Sequence, residues 1–134
     1  MSICADNVMS FFDEKKLVYE THSDKRGNTV IKITLERLTT FLHFSGESGK
    51  YLSLNVYFER VPDDKVADTI FLCNELNKEY KWITTYIDDD NDFVFHDDAI
   101  LSPESAATET LELWVHISKI VNDVKPRIMK VLYA

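Results

Sequence analysis

The sequence predicts an α+β fold, an antiparallel sheet with helices on one face, and three observations carry that prediction. Strand-like alternation fills residues 17–60 and returns over 82–95, while spacings of 3 and 4 between apolar residues fill the flanks and the gap between. The strands come in hairpin-length blocks rather than in alternation with helices, which argues against a parallel sheet. The third observation is size: 134 residues, 45% hydrophobic and 28% charged, suit one domain over 1–134. A chain of this length forms a core without metal or disulfide staples. With only three Gly and three Pro it is not low-complexity sequence.

The expected order is α-β-β-β-α-β-β-α. Residue 5 or 6 to residue 15 reads as a first helix, with Val8, Met9, Phe11 and Phe12 on its apolar side and Asp6 placed to cap it. Residues 17–22 look extended. A turn over 23–28 leads to alternation over 29–36, with Ile31, Ile33 and Leu35 on one face. Leu38, Thr40, Leu42 and Phe44 then share a face. Residues 29–45 are counted as one bent strand, with a bulge placed over 37–40, or as two strands. After Gly46 and Gly49 turn the chain, residues 51–60 alternate most regularly, Leu52, Leu54, Val56 and Phe58 facing one way.

Pro62, followed by Asp63 and Asp64, opens a second helix to about residue 80, its stripe being Val66, Ile70, Cys73, Leu76 and Tyr80. Two short strands, 82–87 and 93–95, are joined by the Asp-rich turn 88–92. From Pro103 the spacing of Ala107, Leu111, Trp114, Ile117, Val121 and Val124 is helical. Pro126 falls inside that pattern, so a kink or break is expected there.

Fifteen Lys plus Arg against 23 Asp plus Glu give a net charge of −8. Such a surface repels phosphate backbones and anionic lipid heads, so neither nucleic acid nor membrane is the expected partner. The acidity is local. Between Lys81 and Lys119 there are nine acids and no Lys or Arg, which leaves the rest near neutral and makes a patch able to steer a basic partner or a cation. Two cysteines make no disulfide framework, and no stretch approaches the roughly 20 apolar residues of a spanning helix. A reduced, cytoplasmic protein is the expectation.

No serine elbow, phosphate loop or metalloprotease helix is present, so catalytic residues are not assigned and an enzyme is not expected. Asp88, Asp90 and Asp92 have the alternate spacing that opens a calcium loop, but Phe93 and Ala99 stand where that loop needs Gly and Glu. Hairpin turns favour Asp and Asn for backbone reasons alone, and that reading is the stronger one. His96, Asp97 and Asp98 alternate across a strand and do not readily meet one ion, so no metal and no cofactor is assigned. Cys73, mid-stripe on a helix, reads as a small core residue, and Cys4, near the terminus, as an oxidation target. Trp82, Tyr86, Phe93 and Phe95 form either a core edge or a partner surface, with core favoured.

The run Asn74, Glu75, Leu76, Asn77 through Trp82, the hairpin Tyr86 to Phe95 and the closing Lys125, Pro126, Arg127, Ile128, Met129 and Lys130 resemble the YbjN-like domain family, described as bacterial sensory-transduction regulators. The resemblance implies a fold similar to type III secretion chaperones, with no catalytic residues to carry over. It implies a regulatory or chaperone-like module that binds another protein and forms a homodimer. The alternative is a cation or small-ligand sensor using the turn 88–92.

Overall fold

The computed structural model describes residues 2–35 and 37–134. Six strands form one antiparallel sheet, β1 (Glu20–Ser23), β2 (Thr29–Leu35), β3 (Leu38–Ser45), β4 (Tyr51–Arg60), β5 (Thr84–Ile87) and β6 (Asp92–Ile100), in the order β1-β2-β3-β4-β6-β5. Three helices, α1 (Ile3–Glu14), α2 (Val66–Glu79) and α3 (Ala106–Leu132), cover one face. The core lies between: Ile31, Leu42, Leu54 and Phe95 from the sheet meet Phe12, Leu76, Ile117 and Val124 from the helices, all essentially without exposure. No helix among the described residues is long and apolar enough to cross a membrane.

The stretch 29–45 resolves as two strands, Leu35 pairing with Leu38 across a tight turn where Arg37 has φ +70°. No bulge falls at 37–40. The irregularity is in β4 opposite β6, between Tyr57 and Glu59, where Phe58 is the extra residue.

Helix starts and stripes differ in detail. Ser2, not Asp6, caps α1: its Oγ accepts the Ala5 N–H at 3.1 Å. That cap leaves room for nothing at Gly49, where a Cβ would lie 1.9 Å from Ser2 Oγ and where φ is +70°. Pro62 precedes a single 3₁₀ turn, Asp63–Lys65, before α2 begins. α2 buries Thr69, Leu72, Cys73 and Leu76, while Ile70 of the expected stripe is 56% exposed beside Phe71 at 67%. A threonine can be buried here because its hydroxyl donates to the Lys65 carbonyl at 2.7 Å.

α3 runs through Pro126 to Leu132 as one helix, so of the kink or break expected there the break does not occur. Pro126 and Asn122 both face solvent, so the carbonyl that loses its helical partner is open to water. The end of α2 is tied to α3 by a bidentate pair, Arg127 to Glu79 at 2.6 and 3.1 Å, and by the Tyr80 hydroxyl donating to Asp123. The Arg127 hydrogen bond holds the Glu79 carboxyl below its ordinary value.

Candidate protein-binding surface

β6 is three times the expected length: past Phe95 it continues through His96, Asp97 and Asp98 to Ile100, paired with β4 to its end. Phe93 and Phe95 face the helices, and both are fully buried. They are core residues, not partner surface: Phe58 meets both rings edge-on at 6.1 and 5.9 Å. Val94, on the opposite face, is sealed by its neighbours in register, Tyr57 and Tyr86.

Trp82 and Tyr86 remain outside. Trp82 is not in a strand but in the turn before β5, at φ +69°, and is 69% exposed. It borders a cleft between the end of β6 and the start of α3, whose apolar lining includes Ala99, Ile100 and Leu113, with Asp98, Glu109 and Glu112 as its carboxylates and His116 as its imidazole. Ile100 is 75% exposed. Large apolar side chains and carboxylates of one sign therefore share a concave surface.

Behind the cleft, burial pushes the Asp97 carboxyl up, and one of its oxygens is buried without a hydrogen-bond partner among the described residues. Asp98, one residue on, faces the bare side of the sheet. Partial burial works against its ionisation, but hydrogen bonds from Ser53 Oγ at 2.8 Å and His96 Nε2 at 3.0 Å outweigh it and hold the carboxyl below its ordinary value. Asn55 Oδ1 meets the other ring nitrogen of His96 at 2.7 Å. Ser53, Asn55, His96 and Asp98 thus form a connected polar row over β4 and β6. Its serine donates to the carboxylate rather than to the imidazole, so it lacks the nucleophile-to-base contact that activates a hydroxyl. Pairwise register, which a single strand's pattern does not disclose, is what brings these four together.

The acidic turn is built inward. Asp88 Oδ1 accepts the N–H groups of Asp90 and Asp92 at 3.0 and 2.9 Å, and Asn91 sits at φ +61°. With that carboxylate engaged by backbone, Asp88, Asp90 and Asp92 do not converge. Among the described residues no group of three or more His, Cys, Asp or Glu could hold a metal ion. Cys4, in the first turn of α1, is buried in the core rather than exposed near a loose terminus, and burial pushes both its thiol and that of Cys73 up, away from the reactive thiolate.

A second acidic site lies at the other end of the sheet. Asp24, in the turn between β1 and β2, receives His43 at 2.7 Å together with the N–H groups of Asn28 and Arg26, and these bonds hold its carboxyl far below the ordinary range.

Comparison with solved structures returns the Yersinia pestis type III secretion chaperone SycH, in complex with a stable fragment of YscM2, at a TM-score of 0.59 and 12% identity, covering 90% of this chain and 98% of that one. At that identity the likeness is one of fold: helices on an antiparallel sheet, as the sequence implied. No curated protein matches the sequence. The family model described as "Putative bacterial sensory transduction regulator" matches residues 5–119. Because that span takes in the whole sheet, most of α1, all of α2 and half of α3, the chain belongs to the YbjN family.

Proposed function

We propose that this chain is a non-enzymatic regulatory or chaperone-like module of the cytoplasm that binds another protein and acts as a homodimer. The observation that carries the reading is the exposed pair Trp82 and Ile100 on a cleft rimmed by Asp98, Glu109 and Glu112. An exposed aromatic can anchor a partner in a desolvated centre while the acids select a basic one. The likeness to a chaperone solved with a protein fragment supports the same reading. Ile70 and Phe71, exposed side by side on α2, support self-association.

Capture from a lysate of the source organism, with wild type and the double variant Trp82→Ala, Ile100→Ser run side by side, tests the binding surface. A protein retained by the first and lost by the second is expected, and equal retention by both would overturn it. Light scattering should give twice 15.6 kDa, whereas a monomer at micromolar concentration would remove the homodimer.

A further inference from the structure

A separate groove of about 530 Å³ lies between α3 and the turn end of the β2–β3 hairpin. Trp114, Val121 and Val56 line it, each buried, and Leu35, Leu38 and Val115 stand along its rim, half-buried or exposed. Its size is that of a small-molecule site, and its lining is apolar apart from a few polar groups.

Charge and hydrogen-bonding capacity select the occupant. Lys119 is the only charged residue among the described residues lining the groove; it is exposed and makes no ion pair with any of the described residues. Among the described residues no carboxylate lines this groove, whereas three line the cleft at Trp82, in a protein whose net charge is −8. Thr40 lies in the same lining, only 2% exposed. An ammonium and a hydroxyl bordering an apolar surface complement a group that only accepts hydrogen bonds and carries negative charge.

We propose that this groove binds a long-chain carboxylate, its acyl chain laid on Trp114 and Val121 and its carboxylate turned to Lys119. Acyl carbons displace water from the apolar lining, and the ammonium supplies the charge-assisted hydrogen bond that fixes the chain's direction. The proposal goes beyond protein binding at Trp82 and does not depend on it.

The test is titration of the full chain with decanoate, below its micelle-forming concentration, followed by amide chemical shifts, with decyltrimethylammonium as the matched cationic probe. Saturable shifts at Thr40, Trp114, Ser118 and Lys119 are expected, with the cation binding at least tenfold more weakly. Lys119→Glu, at an exposed position, should keep the spectrum of the folded protein and weaken decanoate about tenfold or more. Absence of saturable shifts at the groove, equal binding of the two probes, or full affinity in Lys119→Glu would overturn the proposal.

Discussion

Among the described residues Asp97 is the one carboxylate that the fold places against its own chemistry. Its register partner is Leu54, on the helix-covered face, so it is pulled toward the core while one oxygen finds no donor among the described residues. Because its folded pKa is raised, ionisation costs more in the native state than in the unfolded one. The sign follows: stability is lost as pH rises from the ordinary aspartate value through the raised one. Asp97→Asn should therefore be more stable than wild type at pH 7, by about 1 kcal/mol. The gap should shrink as pH falls through the ordinary aspartate value of about 3.9 and close about one unit below it, where Asp97 is neutral both folded and unfolded. Urea denaturation at the two pH values measures it, and a gap unchanged between them would refute the account. Nothing in the sequence marks this residue: Asp97 and Asp98 look alike in a run of acids, and only the pleat separates one that is pulled inward from one that accepts Ser53 and His96.

Among the elements, β5 depends on a helix as much as on its neighbouring strand. Its pairing with β6 leaves the Thr85 N–H and carbonyl pointing away from the sheet, and both are taken by one side chain, Asn77 of α2, at 2.7 and 3.1 Å. The Thr85 hydroxyl reaches back to Asn77 Oδ1 and to the Cys73 carbonyl. Asn77→Ala should destabilise the fold by about 1–2 kcal/mol and speed amide exchange at Thr85, with exchange in β3 unchanged apart from the global loss. Exchange measured by NMR decides it; a protected Thr85 in the variant would show that Asn77 is dispensable. The sequence disclosed Asn77 only as part of the resemblance. The spacing of α2 named a stripe, but which side of a two-sided helix is buried depends on what it docks against, and so Ile70 came out exposed. Pro126 illustrates the reverse: the local rule predicts a kink or break, and orientation toward solvent lets the helix continue without a break.

For the molecule as a whole, the fold was legible because the period-two strands and the 3–4 helical spacings agree with one another along the chain. The candidate surface was half legible. All four aromatics of the second hairpin look equally available in the sequence, yet Phe93 and Phe95 are core while Trp82 and Tyr86 are not. Alternation does not say which face the helices cover. Calorimetry separates the two groups: Phe93→Ala should cost about 3–5 kcal/mol through the cavity it leaves, and Trp82→Ala should stay within about 0.5 kcal/mol. A large loss from Trp82→Ala would mean that the turn is structural.

The two ends of the sheet are unlike in one further respect. Asn77 occupies the outward backbone of Thr85, where a seventh strand would pair beside β5, while β1, exposed along its length, has no such side-chain plug among the described residues. Of the two edge strands, β1 is therefore the freer to pair. A backbone-to-backbone join between two copies would run β1 to β1 and yield a single continuous ribbon of twelve strands, with the tryptophan clefts at its two far tips.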